Sequence, residues 1–229
     1  SKDEFYGRMW QKFGVDSLHA YGDYDEAVAF GRAAAAIIES LVEFLGKKAG
    51  NVIAHFDEWT LGAGLLTVKV RLPKVATVFT THATSIGRSI CSNGKPLYDY
   101  LAGYNGDQMA RELNMESKHS LEKAAAHAAD CFTTVSDVTA REAGQLLERT
   151  PDVVTPNGFE PGFVPSKTRF AKARAAARDK MLQVARALTG IDFADDTFII
   201  ATSGRCEYRN KGIDVFCDTL GLLNADGTP

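Results

Sequence analysis

Short apolar runs alternate with longer segments of helical periodicity along most of the chain. The runs that predict buried strands cover residues 51–56, 75–81, 131–135 and 152–155. The segments that predict helices cover residues 23–46, 62–66, 95–129 and 140–149. Strands that alternate with helices in this order predict an α/β fold built on a parallel, doubly wound sheet.

The pattern changes after the fourth predicted strand. A loop rich in Pro and Gly leads into a long basic helix over 167–188, whose apolar side chains are expected to face a core. These side chains are Phe170, Ala173, Ala177, Met181, Val184 and Leu188. A strand over 197–203 and a helix over 211–223 follow, and together they form one further βα unit.

This change predicts three segments. They are a Rossmann-like domain over 1–160, a crossover with the long helix over 161–196, and the start of a second Rossmann-like domain over 197–229. A single βα unit cannot cover both faces of a parallel sheet. We therefore expect the chain to be an internal piece of a longer protein.

The bulk composition narrows the function classes. A net charge of -3 argues against a basic nucleic-acid-binding surface. No apolar run approaches the roughly 18 residues of a membrane span, and the polar start of the chain is unlike a secretory signal. The four widely spaced cysteines form no CxxC pair, which predicts reduced thiols rather than a zinc site. We expect a cytoplasmic protein with neither a nucleic-acid nor a membrane partner.

The strongest candidate site is the loop that follows the apolar run 197–203. Arg205 and Lys211 lie six positions apart in this loop, and Gly212 opens the next helix. Two cations and a helix N-terminus at the end of a parallel strand suit a diphosphate. The alternative is a solvated basic loop. The chain contains no GxxxxGK[ST] motif, which disfavours hydrolysis of a nucleoside triphosphate.

Two earlier strand ends also carry polar side chains. His55 and Glu58 follow the first strand and could form the wall of a cleft, or Glu58 could instead cap the next helix while Trp59 fills a core. His82 and Arg88 follow the second strand, where an arginine could hold a phosphate or a sugar hydroxyl. The alternative for this second pair is a structural role.

Two further features have mainly structural interpretations. Glu122 and His127 lie five residues apart on one predicted helix and therefore do not share a face. We expect His127 to be buried and to hold its helix to a strand. Asn157 and Gly158 form a turn signal, and they also lie where the first domain should end.

Five sequence blocks, taken in order, resemble the eukaryotic-type glycogen synthases of glycosyltransferase family 3. The blocks are HFDEW (55–59), VATVFTTHATSIGR (75–88), LEKAAAHAADCFTTVSDVTAREAGQLLER (121–149), DVVTPNGF (152–159) and GRCEYRNKGIDVF (204–216). The resemblance implies the GT-B fold, with an acceptor-side first domain and a nucleotide-sugar-binding second domain. It also implies retaining transfer of glucose from UDP-glucose to the 4-hydroxyl at a non-reducing end of glycogen, with no metal or other cofactor.

The resemblance also implies roles for particular residues. Arg205 and Lys211 would hold the donor diphosphate, and His82 would lie beside the glucose. Arg88 matches an arginine of the first-domain active-site motif. Cys206 departs from the family, because an aromatic residue is usual beside the donor arginine.

By the same resemblance, Asn157 and Gly158 would line the cleft at the crossover. The glycine-rich loop, the paired glutamates of the second domain and the arginine cluster that responds to sugar phosphate have no counterpart here, so we expect the chain alone to be inactive. The alternatives are a GT-B enzyme that uses ADP-glucose and a non-catalytic glucan-binding protein. The sequence leaves the oligomeric state open, including a homo-oligomer of the full-length protein.

Overall fold

The structure is a computed structural model that describes residues 1–209 and 211–227. It divides into two compact units, Ser1–Asn157 and Gly158–Pro229. No helix within the described residues is long and apolar enough to cross a membrane.

The first unit contains a parallel sheet and seven helices within its described residues. The strands are β1 (Ile53–Asp57), β2 (Ala76–Thr81), β3 (Cys131–Thr134) and β4 (Val153–Val154). The helices are α1 (Lys2–Phe13), α2 (Tyr24–Leu45), α3 (Gly62–Arg71), α4 (Ser85–Ser92), α5 (Gly106–Glu112), α6 (Glu116–Ala128) and α7 (Asp137–Leu146). Short 3₁₀ turns lie at Gly46–Ala49, Trp59–Leu61 and Leu101–Gly103.

Two of these helices were not predicted from the periodicity. Helix α1 begins with a capping box, in which the Ser1 hydroxyl accepts a hydrogen bond from the Glu4 N–H at 3.2 Å. Helix α4 begins at Thr84, whose hydroxyl accepts from the Gly87 N–H at 3.0 Å. Helix α4 spans only 8 residues, so its end signal is more informative than its apolar spacing.

The strand order β1–β2–β3–β4 follows the order of the chain, and all three pairs are parallel. The predicted α/β fold with a parallel sheet is confirmed. An order that advances in one direction places right-handed crossover helices on a single face of the sheet. Consistent with this rule, Phe56 and Phe79 are buried on one face, whereas Ile53 and Val153 are 68% and 48% exposed on the other. The reversal of strand order that defines a doubly wound sheet does not occur among these four strands.

The covered face of the sheet packs against closely spaced helices. Phe79 and Phe132 stack with ring centroids 5.8 Å apart on neighbouring strands. Helices α2 and α3 meet at Gly31 and Gly64, where a Cβ on Gly64 would lie 2.6 Å from the Gly31 carbonyl oxygen. Only glycine permits this approach of two backbones. This contact places α3 directly against the long helix α2.

The second unit contains two helices within its described residues, α8 (Lys167–Thr189) and α9 (Ile213–Ala225), together with a 3₁₀ turn at Pro161–Phe163. The helix prediction is confirmed, but the predicted core face of α8 is wrong. Within this helix only Leu182 is buried, while Phe170 and Leu188 are 48% and 81% exposed.

The strand predicted over 197–203 is also absent from the structure, since these residues belong to no ladder. A strand requires a hydrogen-bonded partner, and the described part of the second unit contains no other strand to supply one. The assignment of residues 161–196 to a crossover and of 197–229 to a second Rossmann-like domain stays a prediction.

Candidate active site

The carboxyl ends of β1 and β2 bring two polar segments together. Asp57 pairs in register with Thr80, so Glu58 and His82 follow adjacent strands at the same edge of the sheet. The Glu58 N–H donates to the Thr80 carbonyl at 2.8 Å and extends the pairing by one residue. This edge is where ligands of open α/β sheets bind.

Glu58 adopts a backbone conformation that is nearly restricted to glycine, with φ 62° and ψ 164°. Its carboxylate Oε1 accepts from the His82 N–H at 3.3 Å and from Arg88 Nη2 at 3.1 Å. Burial raises the pKa of the Glu58 carboxyl, and the positive charge of Arg88 opposes that rise. The strained conformation therefore places the carboxylate between the His82 backbone and the Arg88 guanidinium of the next strand end.

The structure decides between the alternative roles of Glu58 and Trp59. The Glu58 side chain does not cap the turn at Trp59–Leu61, so the capping alternative is wrong. Trp59 is partly buried and stacks on Tyr24 with centroids 6.2 Å apart. The packing role expected for Trp59 is confirmed.

His82 is held through its ring and through its backbone. The ring Nε2 lies 3.1 Å from the Asp57 carboxylate, and the His82 carbonyl accepts from the Thr139 hydroxyl at 3.3 Å. Arg88 projects from α4 and is about half exposed, with its guanidinium paired to Glu58. His82 and Arg88 thus meet around Glu58, and both keep part of their polar surface open to solvent.

His55 lies apart from this cluster on the uncovered face of the sheet. Its Nε2 is 2.7 Å from the Thr80 hydroxyl, which is in turn 2.6 Å from the Thr133 hydroxyl. This row of polar side chains crosses three strands. The structure therefore does not bring His55 to Glu58, although His55 lies in β1 and Glu58 directly follows that strand.

Glu122 was not predicted as part of the site. It is fully buried on α6, where its Oε1 accepts from the Thr81 hydroxyl at 2.8 Å and its Oε2 from the Ser85 N–H at 2.7 Å. Burial raises the pKa of this carboxyl to about 7. A sequence signal existed, because Glu122 is followed at helical spacing by Ala125 and Ala126, both buried.

Glu142 on α7 is a second buried carboxyl that sequence reasoning missed. Its Oε1 accepts from the Thr84 N–H at 2.9 Å and from the Thr84 hydroxyl at 2.6 Å. Its other oxygen accepts from the Tyr98 hydroxyl at 2.9 Å. Together with Glu122, this residue surrounds the turn that carries His82.

A shallow groove of about 560 Å³ opens beside the cluster. Its lining residues are Glu58, Trp59, Thr60, Ser85, Arg88, Ser89, Ser92, Met115 and Lys118. The Lys118 ammonium lies 4.8 Å from the Trp59 ring centroid. The hydroxyl groups and the two cations make this groove suited to a polar, hydroxyl-rich or anionic ligand.

His127 differs from its prediction. The ring is exposed rather than buried, and its Nε2 lies 2.8 Å from the Leu147 carbonyl oxygen. It therefore ties α6 to the residue that follows α7, not to a strand. His127 lies on the outer side of the helix end, between the buried residues Ala126 and Ala129.

The loop of the second unit brings Arg205 and Lys211 near one residue, Glu207. Arg205 Nε lies 2.9 Å from the Glu207 carboxylate, and the Lys211 N–H donates to the Glu207 carbonyl at 2.9 Å. A Cβ on Gly204 would lie 3.7 Å from the Lys211 side chain, so the loop turns back on itself. Both cationic side chains are exposed, and Gly212, with φ 64°, begins α9.

Asn157 and Gly158 are exposed and mark the division between the two units, with Asn157 last in the first and Gly158 first in the second. Their role in a cleft stays a prediction. Within residues 1–209 and 211–227, no three His, Cys, Asp or Glu side chains are grouped as a metal site.

The family model for glycogen synthase matches residues 1–227. The chain belongs to the glycogen synthase family. The resemblance seen in the five motif blocks is thereby confirmed.

Several relatives cover nearly the whole chain. It is 34% identical to liver glycogen [starch] synthase of Rattus norvegicus over 225 residues, which is 97% of this chain and 32% of that protein. It is 36% identical to glycogen [starch] synthase of Neurospora crassa over 94% of this chain and 31% of that protein, and 35% identical to that of Caenorhabditis elegans over 97% and 34%. The chain thus spans about a third of the length of these family members.

Proposed function

We propose that this chain is part of a retaining glucosyltransferase that moves glucose from UDP-glucose to the 4-hydroxyl at a non-reducing end of an α-1,4-glucan. The family match over residues 1–227 is the observation that carries this proposal. The cluster of Glu58, His82 and Arg88 supports it, because it lies at the sheet edge where an α/β enzyme binds its ligands.

In this proposal the second-unit loop acts on the leaving group. The bond between glucose C1 and the diphosphate breaks, a bond from the acceptor oxygen to C1 forms, and the proton of the acceptor hydroxyl passes to the departing diphosphate. Arg205 and Lys211 stabilise the charge that builds up on the diphosphate, a role usually worth several kcal/mol. With two fixed cations for this purpose, the reaction needs no metal.

The first-unit cluster acts on the sugar. Asp57 and Glu58 hold the ring and backbone of His82 so that it lies beside the transferred glucose. Arg88 donates one Nη2–H group to Glu58 and offers its remaining N–H groups to a hydroxyl or phosphate oxygen.

The remaining proposals concern the protein around the reaction. The partners are a nucleotide sugar and glycogen, and the location is the cytoplasm. The 229-residue chain alone is inactive, because it spans about a third of the length of its relatives. Asn157 and Gly158 line the cleft.

The test is a transfer assay with two donors. The longest reading frame that encodes the chain is given glycogen and either UDP-glucose or ADP-glucose in metal-free buffer, beside an Arg205→Ala variant. We expect transfer from UDP-glucose that falls by about 10²-fold or more in the variant. Transfer from ADP-glucose alone would assign the other donor. Transfer from neither donor would overturn the proposal and favour a glucan-binding protein.

A further inference from the structure

The chemistry proposed above does not use the two buried glutamates behind the His82 turn. We propose that Glu122 and Glu142 are positioning residues that hold residues 81–85 in one conformation and thereby orient His82 and Arg88. The inference rests on the proposed function for its kinetic consequence, but its structural part can be measured separately.

The contacts of the turn carry the inference. Three carboxylates from three different elements accept from consecutive parts of its backbone: Glu58 from the His82 N–H, Glu142 from the Thr84 N–H and Glu122 from the Ser85 N–H. The two buried ones also accept from the hydroxyls of Thr81 and Thr84 at 2.8 and 2.6 Å. Thr84 is therefore held through both its N–H and its hydroxyl, while Thr81, His82 and Ser85 are each held through one group.

These contacts also occupy the N-terminus of α4. A free helix N-terminus attracts anions through its unpaired N–H groups. Here the first N–H groups are already paired with Glu142, with Glu122 and with the Thr84 hydroxyl. The N–H groups of Thr84, Ser85 and Gly87 therefore hold the shape of the turn, while the side chains of His82 and Arg88 remain open to a ligand.

The Glu142 carboxyl packs closely against Gly87 of α4. A Cβ on Gly87 would lie 2.2 Å from Glu142 Oε1 and 2.7 Å from its carboxyl carbon. The carboxyl thus packs directly against the backbone of the first turn of α4. A small displacement of either glutamate would be transmitted to the turn, and misplacing a catalytic group by about 1 Å can cost about 10²-fold in rate.

A merely stabilising role is the competing explanation, and Asp130 provides a matched control. Its carboxylate accepts from the Thr77 N–H at 2.8 Å and from the Thr77 hydroxyl at 3.0 Å. This is the same type of contact on the same strand, β2, but at the opposite end of the sheet from His82. Its loss should lower stability without changing the geometry of the turn.

The experiment compares Glu122→Ala, Glu122→Gln and Asp130→Ala in the longest reading frame that encodes the chain. We expect the kcat of Glu122→Ala to fall by about 10²-fold with the donor KM nearly unchanged. Glu122→Gln should recover most of the rate, because its amide oxygen still accepts from Ser85 and its amide N–H can donate to Thr81. Asp130→Ala should lower the unfolding temperature and keep its kcat. A Glu122→Ala enzyme with wild-type kcat, or an Asp130→Ala enzyme with an equal loss, would overturn the inference.

Two additions keep the inference testable if Glu122→Ala does not fold or if the wild type transfers no glucose. Thr81→Val removes the hydroxyl that lies 2.8 Å from Glu122 Oε1 and 3.2 Å from the Ala83 carbonyl oxygen, with almost no change of shape. It should cost about tenfold in kcat, close to the usual value of one hydrogen bond to a charged group. The chain has five histidines, so the His82 ring can be assigned by NMR from a His82→Gln variant. Thr81→Val should shift the His82 signals and leave those of His19 in place. Unchanged His82 signals would contradict positioning, whatever the activity.

Discussion

The two regions that carry the candidate site residues are built in different ways. In the first unit, the turn at residues 81–85 is held by carboxylates from the β1 end, α6 and α7. In the second unit, Arg205 and Lys211 lie on an exposed loop whose described contacts converge on Glu207. The first arrangement depends on tertiary packing, whereas the second depends on local backbone turns.

The burial of the two units shows the same contrast. The first unit buries aromatic residues on its sheet, including Phe56, Phe79 and Phe132. Among the described residues of the second unit, Leu182 is the one buried apolar side chain. The difference teaches that a pre-organised site needs a core behind it, because only buried partners can hold a turn in one conformation.

The largest expected effect is on the exposed loop. Lys211→Ala should lower kcat by about 10²- to 10³-fold if this side chain stabilises the leaving diphosphate. Since Lys211 is exposed, the unfolding temperature should not change. Steady-state kinetics with UDP-glucose checks the rate, and Lys180→Ala, another exposed lysine of the second unit, is the control. Equal kinetics for the two variants would contradict a role of Lys211 in stabilising the leaving diphosphate.

The second prediction concerns pH and the buried first-unit carboxyl. Burial raises the pKa of Glu122 from 4.5 to about 7, so the folded chain binds this proton more tightly than the unfolded chain. The Glu122 carboxyl therefore makes its full contribution to the free energy of unfolding below pH 4.5. This contribution declines as the pH rises towards 7, by up to about 3 kcal/mol. The difference in unfolding free energy between wild type and Glu122→Gln, measured by denaturant titration across this range, should show the decline.

The contribution of Asp130 to the unfolding free energy should change with pH in the opposite direction, so Asp130 serves as the control for this measurement. Its hydrogen bond with Lys69 is the main cause that lowers the pKa of the Asp130 carboxyl. Its contribution to stability is present above its ordinary pKa of 3.8 and is lost as the pH falls further. A wild type and a Glu122→Gln variant with parallel pH profiles would show that Glu122 is not buried as described.

A matched pair of helical glycines tests the contrast in packing. Gly64→Ala places a Cβ 2.6 Å from the Gly31 carbonyl and should cost about 2–3 kcal/mol, as overpacking usually does. Gly221 on α9 has no atom within 4 Å of its Cβ position, so Gly221→Ala should stabilise that helix by about 1 kcal/mol. Chemical denaturation measures both values, and destabilisation of similar size at the two positions would contradict the described difference in packing.

The smallest effect isolates the strain at Glu58. Glu58→Gly and Glu58→Ala both remove the carboxylate, but only glycine adopts φ 62° and ψ 164° without strain. The glycine variant should therefore be more stable than the alanine variant by about 1–2 kcal/mol. Equal unfolding free energies would mean that the backbone relaxes when the carboxylate is removed.

Much of the first unit could be predicted from sequence, because each strand is a short apolar run bounded by turn residues. Helix α4 escaped prediction since its 8 residues give little periodicity, and α1 was missed although it begins with a capping box. In the second unit the apolar spacing of α8 was a poor guide to burial, with Phe170 half exposed. The run 197–203 has the composition of a strand, but composition cannot supply the partner that a strand needs.

The residues of the candidate site also differ in whether the sequence could predict them. His82, Arg88 and Glu58 could be predicted because polar residues after parallel strands collect at one edge. The roles of Glu122 and Glu142 could not, since a buried carboxyl is explained only by the donors that the fold brings to it. His55 shows the opposite error, because its place in a strand did not reveal that it faces the uncovered side of the sheet.

Glucose transfer by His82→Ala beside wild type tests the central claim most directly. The longest reading frame that encodes the chain is incubated with labelled UDP-glucose and glycogen, and the initial rate of incorporation is measured with the unfolding temperature of each protein. We predict incorporation by the wild type and a loss of about 10²-fold in His82→Ala at a nearly unchanged unfolding temperature. No incorporation by the wild type, or an equal rate in the variant, would contradict the account.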